Sequence, residues 1–94
     1  MTEHTIDGTG IRTKAEFMAA VAAALSFPDW FGANLDALYD CLRDLSWLPP
    51  GEHVLVWRHP EVLAEADPRT YRALDDVLRD AAVPGRFRAE LTGR

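Results

Sequence analysis

The sequence has little of what several common classes of protein require. It contains one cysteine, Cys41, among 94 residues, which excludes an internal disulfide and a metal site built from thiolates. No apolar run approaches the roughly 18 residues of a membrane span, and no basic stretch followed by an apolar run indicates a secretory signal. We therefore expect a cytoplasmic protein, in a reducing compartment, without membrane contact.

Positive charge is scarce as well. Ten Lys and Arg side chains stand against fifteen Asp and Glu side chains, for a net charge of −5. This balance disfavours nucleic acid as a partner, because its phosphates would be repelled, and it favours a basic protein. Hydrophobic residues make up 48% of the chain, which predicts one globular domain over residues 1–94 with a modest core.

The patterns that mark common catalytic and metal sites are missing. His4, His53 and His59 do not have the spacing of paired metal ligands, and we expect His53 and His59 to be surface or capping residues. There is no glycine-rich phosphate loop and no serine nucleophile motif. Cys41 has no activating partner nearby in sequence, so we expect a small core residue. The sequence thus predicts no enzyme, no cofactor and no metal.

Hydrophobic periodicity and capping residues predict alternating strands and helices. Thr13 and Glu16 form a capping box, and Asp67 precedes Pro68 as a cap at the start of a later helix. The apolar run at 54–57 is typical of a strand buried on both faces, as in a parallel sheet. The predicted strands are 5–8, 54–57 and 87–92, and the predicted helices are 14–25, 35–45, 61–65 and 69–82.

Strands separated by helices predict parallel pairing with right-handed crossovers. We therefore expect an α/β fold with a three-stranded parallel sheet and about four helices.

The stretch from 27 to 42, FPDWFGANLDALYDCL, is the part of the chain that folding alone explains least well. Pro28 stops any preceding helix, Gly32 supports a turn, and Asn34 is a good helix N-cap. With a step of about 100° per residue, the leucines of helix 35–45 fall together on one side. The opposite, exposed side carries Asp36, Tyr39, Asp40, Arg43 and Asp44.

A charged helix face is often only a solvated surface, and Asp36 fits that interpretation because an anion in the first turn is favoured by the helix dipole. Asp40 and Asp44 fit it poorly. Like charges at i, i+4 cost a few tenths of a kcal/mol, and an aspartate in the last turn opposes the dipole. Arg43 can relieve Asp40 only in part. This mildly unfavourable arrangement indicates a functional reason.

The run from Trp30 to Leu42 resembles the signature of the barstar family, the intracellular protein inhibitors of secreted bacterial ribonucleases. In that family an aromatic pair and a glycine lead into Asn-Leu-Asp-Ala-Leu-Trp-Asp-Cys-Leu, and here Tyr39 replaces the tryptophan. The resemblance implies the same three-stranded α/β architecture. It also implies an inhibitor, not an enzyme, that forms a 1:1 complex with a guanyl-preferring ribonuclease and blocks its basic active site.

The resemblance also implies which residues bind the ribonuclease. Asp40 matches the aspartate that enters the active site, and Asp36 matches a neighbour that contacts the edge of the cleft. Trp30 matches a stacking tyrosine, and Asp80 matches an acidic residue on the last long helix. The position of Trp47 relative to the interface stays open. The implied set is Trp30, Gly32, Asn34, Asp36, Tyr39, Asp40, Arg43, Asp44 and Asp80.

Two other functions remain open from the sequence. An immunity protein against a nuclease toxin of another type would share the fold and differ in its target. A small acidic hydrolase would use Asp36 and Asp40, one helical turn apart, for acid–base chemistry. Such a pair needs a cleft that separates the environments of the two carboxylates, and an exposed helix face offers none.

Overall fold

A three-stranded parallel sheet forms the centre of the fold. The structure is a computed structural model that describes residues 1–92, so that Gly93 and Arg94, the end of the predicted domain, lie outside the described residues. The strands follow the order β1-β2-β3 across the sheet, and both neighbouring pairs are parallel. They span Thr2–Asp7 (β1), His53–Arg58 (β2) and Phe87–Thr92 (β3).

Four α-helices connect the strands, which confirms the predicted α/β fold. They span Lys14–Ala24 (α1), Leu35–Asp44 (α2), Glu61–Ala66 (α3) and Pro68–Asp80 (α4). Each predicted helix is present, with its ends displaced by at most two residues. Within residues 1–92, no helix combines the length and the apolar character needed to cross a lipid bilayer.

The helix starts follow from the predicted caps. The Thr13 hydroxyl accepts a hydrogen bond from the Glu16 N–H at 3.1 Å, while the Glu16 carboxylate accepts from the Arg12 N–H at 2.9 Å. The Asp67 carboxylate accepts from the Thr70 N–H at 3.2 Å and opens α4. Each cap satisfies backbone donors that have no partner within the helix, so these short polar signals fix where α1 and α4 begin.

The hydrophobic core lies on one face of the sheet. Side chains alternate between the two faces of a strand, and Ile6, Leu55 and Trp57 point to the face where residues of all four helices join the core. Val54 is also buried, on the opposite face, but Val56 on that face is only half-buried. The prediction that β2 is buried on both faces is therefore confirmed at Val54 and wrong at Val56.

His53 lies in the interior, so the expectation of a surface or capping residue is wrong. It is 3% exposed, and its Nδ1 lies 3.0 Å from Nε2 of His4 on the neighbouring strand. The outer nitrogens of the pair lie 3.1 Å from the Ala24 carbonyl and 2.8 Å from the Pro49 carbonyl. The pKa of His4 is lowered, mainly because burial disfavours the charged imidazolium. The hydrogen bond with Ala24 raises this pKa, and the nearby His53 lowers it further.

Candidate functional site

Helix α2 separates an apolar side from a charged side, as its sequence predicts. Leu38, Cys41 and Leu42 are buried in the core. The exposed side carries Asp36, Asp40 and Asp44, which we call the acidic face, together with Tyr39 and Arg43. The helix ends at Asp44, one residue before its predicted end, and Leu45 follows as a buried C-cap in the left-handed conformation with φ 49°.

Within the described part of the chain, the acidic face has no cationic partner. Among residues 1–92, none of its three carboxylates forms an ion pair. The guanidinium carbon of Arg43 lies 5.8 Å from the centre of the Tyr39 ring, a cation–π arrangement, so the expected relief of Asp40 by Arg43 is absent. Arg86 donates to the backbone carbonyl of Asp44 at 3.0 Å and leaves the carboxylate free. The negative charge of α2 is thus available to a partner.

Cys41 lies beneath the acidic face and is fully buried. Burial raises the pKa of the Cys41 thiol, and the nearby carboxylates of Asp40 and Asp44 raise it further. A protonated thiol is a poor nucleophile and a poor metal ligand. Cys41 therefore acts as a small apolar residue that packs α2 against the core, as its sequence context predicts.

The loop between α1 and α2 (residues 25–34, the α1–α2 loop), which leads directly into α2, presents Trp30 to solvent. Trp30 is 64% exposed, the largest exposed fraction of any aromatic side chain in residues 1–92. Phe31 instead packs on Phe27 with ring centres 4.8 Å apart, and both rings lie against the core. Asn34 accepts from the Ala37 N–H at 2.8 Å and caps α2, while Gly32 is exposed.

Asp80 belongs to a different element from the other predicted site residues. It is the last residue of α4 and is exposed, and α4 packs directly against α2. The structure therefore groups eight of the nine predicted residues on the α1–α2 loop and α2, and it places Asp80 on the neighbouring helix.

Trp47, whose role the sequence left open, is half-buried in the loop after α2. Its indole N–H donates to the Leu25 carbonyl at 2.9 Å, so it contacts the start of the α1–α2 loop. The only signal for this contact in the sequence is an aromatic residue in a proline-containing loop. The partner lies 22 residues earlier, beyond the reach of local patterns.

The surroundings of the acidic face are open. Asp36 and Asp40 are exposed on one convex helix surface, which gives neither carboxylate the distinct environment that an acid–base pair requires. Within the described part of the chain, no three His, Cys, Asp or Glu side chains come together as metal ligands. The geometry is that of a binding surface with a row of anions and an adjacent aromatic ring.

The family model described as Barstar (barnase inhibitor) matches residues 1–90 of the chain. The chain belongs to the barstar family. At the level of the family, barstars are inhibitors of barnase-type ribonucleases and are not enzymes, so membership implies a ribonuclease as partner. The matched residues contain α2, the α1–α2 loop and Asp80, that is, every residue that the sequence analysis assigned to the interface.

Proposed function

We propose that this barstar-family chain inhibits a secreted, guanyl-preferring bacterial ribonuclease in the cytoplasm of the cell that makes the enzyme. The two proteins form a 1:1 complex in which α2 and the α1–α2 loop cover the active site. The observation that carries the proposal is the acidic face, which is exposed and forms no ion pair with any other residue of 1–92, on the helix that follows the exposed ring of Trp30.

The acidic face supports this function because a ribonuclease must bind a polyanion. Its cleft presents cationic side chains where RNA phosphates lie, and carboxylates of the inhibitor occupy those positions. Residues at i and i+4 are separated by about 6 Å along a helix axis, so Asp36, Asp40 and Asp44 form a regular row of anions. The row contains no phosphodiester bond, and the enzyme has nothing to cleave.

The absence of internal partners also favours tight binding. Removing a charged side chain from an existing ion pair leaves its former partner uncompensated, and that penalty reduces the net gain of a new pair. Asp36, Asp40 and Asp44 have no such pair to break with any residue that the structure describes. On docking, these carboxylates lose hydration water and form ion pairs with cationic side chains of the cleft. Because the helix is already formed, little conformational entropy is lost.

The proposed roles follow the positions of the residues on this surface. Asp40, in the middle of the row, enters the active site, and Asp36 contacts its edge. Trp30 stacks on an exposed ring or base-binding surface of the enzyme. The remaining residues extend the contact around this centre, and they are Gly32, Asn34, Tyr39, Arg43, Asp44 and Asp80.

The test is an inhibition assay with a panel of nucleases. Barnase and other guanyl-preferring bacterial ribonucleases are mixed with increasing amounts of the protein while RNA cleavage is followed. We expect activity to reach zero at one equivalent for at least one of these enzymes. Unchanged cleavage throughout the panel would refute the proposal. Inhibition confined to a nuclease of another type would instead support an immunity protein against a different toxin.

A further inference from the structure

Trp47 connects two loops that are distant in sequence. It lies after α2, yet its indole N–H donates to the carbonyl of Leu25 at 2.9 Å. Leu25 is the C-cap of α1, and the last carbonyls of a helix have no partner within it. The hydrogen bond therefore fixes the point at which the α1–α2 loop leaves α1.

The ring of Trp47 also lies between two aromatic side chains of that loop. Its centre is 5.9 Å from the ring of Phe27 and 6.4 Å from the ring of Trp30, with interplanar angles of 90° and 89°. Such edge-to-face contacts are the favoured geometry of aromatic pairs. Among residues 1–92, Trp47 is the aromatic residue with which Trp30 packs, so the orientation of the exposed indole depends on this contact.

The backbone of the α1–α2 loop has few hydrogen bonds of its own. Between Phe27 and Ala33 the only internal backbone bond described is the one that the Phe31 N–H donates to the Pro28 carbonyl, at 3.0 Å. Ser26 and Ala33 are both in the left-handed region, with φ 54° and 51°, a conformation that non-glycine residues keep only when their surroundings enforce it. The start of the loop is held by the Phe27 N–H, which donates to the Ala22 carbonyl of α1 at 2.9 Å, and Phe27 and Phe31 pack on each other within the loop. The rest of its shape depends on side-chain contacts, and those of Trp47 come from outside the loop.

We propose that Trp47 is a positioning residue, which holds the α1–α2 loop and Trp30 in the conformation that the partner binds. This inference rests on the proposed function in so far as Trp30 contacts the ribonuclease. Trp47 itself is half-buried, and its indole N–H donates to the Leu25 carbonyl. That N–H is therefore not available to a partner, and Trp47 acts through the loop. Without its indole, the loop samples other conformations and the binding-competent fraction falls.

This mechanism has a kinetic signature. When only a fraction of the free protein is competent to bind, the apparent affinity falls by that fraction, and the loss is in the association rate. A residue that contacts the partner directly acts mainly on the dissociation rate. We expect Trp47→Ala to lower the association rate with barnase roughly tenfold, with the dissociation rate changed much less. Trp47→Phe keeps a ring without the N–H and should lie between wild type and Trp47→Ala.

A second set of measurements needs no partner. Hydrogen exchange of the amides of Phe27 and Phe31, which donate to the carbonyls of Ala22 and Pro28, should accelerate in Trp47→Ala and, less, in Trp47→Phe. Trp57→Phe is the matched control, because it removes a buried indole that packs on Phe17 and Tyr71, outside the loop. It should change neither loop exchange nor the association rate.

The two sets of measurements separate the possible failures. Unchanged loop exchange in Trp47→Ala and Trp47→Phe would overturn the inference whatever the protein binds. Faster loop exchange with an unchanged association rate, or a loss confined to the dissociation rate, would also overturn it. If the wild-type protein binds neither barnase nor any other ribonuclease of the panel, the proposed function fails, while the exchange data still decide whether Trp47 holds the loop.

Discussion

At the scale of single residues, Asp40 is the side chain on which the proposed function depends most. We expect Asp40→Ala to weaken binding to the target ribonuclease by about 2–5 kcal/mol, the usual effect of removing one member of a buried charge pair. The free protein should lose no stability, because the substitution relieves like-charge repulsion along α2. Inhibition constants and urea unfolding curves measure the two effects.

Glu65 offers a matched control for this substitution. It is an exposed carboxylate on α3, and Glu65→Ala changes the net charge by the same amount at a position outside the proposed interface. We expect its inhibition constant to stay within about threefold of wild type, since a distant surface charge contributes little. Equal losses in Asp40→Ala and Glu65→Ala would mean that only net charge matters and that the interface is placed wrongly.

Residue environments were predictable where they depend on helical periodicity. The burial of Cys41 and the exposure of Asp40 both follow from the helical repeat of α2. The contact partner of Arg43 was not predictable in the same way. Asp40 and Tyr39 both lie within one helical turn of it, so helical periodicity does not determine which of them it contacts. His53 was missed because its burial depends on His4, which is 49 residues away in sequence.

At the scale of elements, the end of β1 depends on the absence of a side chain at Gly8. A Cβ at this position would collide with the backbone carbonyl of Arg58 and lie 2.6 Å from that of His59, and backbone cannot move aside as a side chain can. We expect Gly8→Ala to reduce the free energy of unfolding by about 3 kcal/mol, as measured in urea.

Gly8–Gly10 forms a short 3₁₀ helix after β1, and Gly10→Ala is the control within it. A Cβ there meets no atom within 4 Å, so we expect a change within about 0.5 kcal/mol. Similar unfolding free energies for the two variants would show that the close approach of Gly8 to β2 is not what fixes this connection.

His4, which contacts His53 of β2 and the Ala24 carbonyl at the end of α1, makes stability depend on pH. His4 is expected to be neutral in the folded protein near pH 7, because burial lowers its pKa, whereas in the unfolded chain its pKa is about 6.5. As the pH falls below about 6.5, the unfolded state binds a proton that the folded state resists. Stability is therefore present above this value and is lost as the pH falls toward the lowered pKa of His4.

Urea unfolding between about pH 7.5 and about pH 5 measures this loss. We expect His4→Gln to reduce the pH dependence in this range, while His59→Gln, which alters a half-buried histidine beside Glu61, keeps it. Capping hydrogen bonds lower the pKa of three carboxylates, Asp7, Glu16 and Asp67. These groups change the free energy of unfolding only at more acidic pH. An unchanged slope in His4→Gln would contradict the assignment.

The elements that could be predicted from the sequence are those with local signals. Caps at Thr13, Asn34 and Asp67 fixed helix starts because each side chain bonds a backbone group three residues later. The start of β1 at Thr2 was missed by three residues, since Thr2 and Glu3 are exposed and lack apolar alternation. Their strand conformation comes from pairing with His53 and Val54, which no local pattern reveals.

At the scale of the whole molecule, charge and shape act together. The chain carries a net charge of −5, and the proposed interface combines the exposed ring of Trp30 with the carboxylates of α2, which form no ion pair within residues 1–92. Opposite charges steer diffusing proteins toward productive encounters and can raise association rates by about 10- to 1,000-fold at low salt. Association with a basic ribonuclease should therefore be fast and sensitive to ionic strength.

Salt separates this long-range steering from the contacts made in the complex. Raising the ionic strength from about 0.01 M to about 1 M shortens the screening length from about 30 Å to about 3 Å. We expect the association rate, followed by stopped-flow fluorescence, to fall at least tenfold, with a much smaller change in the dissociation rate, because charges buried in the complex are screened less. In Asp40→Ala, the association rate should depend less steeply on ionic strength than in wild type. In Trp47→Ala it should be lower but depend on ionic strength as in wild type, because this variant alters the loop and not the charge. A salt-independent association rate would mean that the acidic face does not guide the encounter.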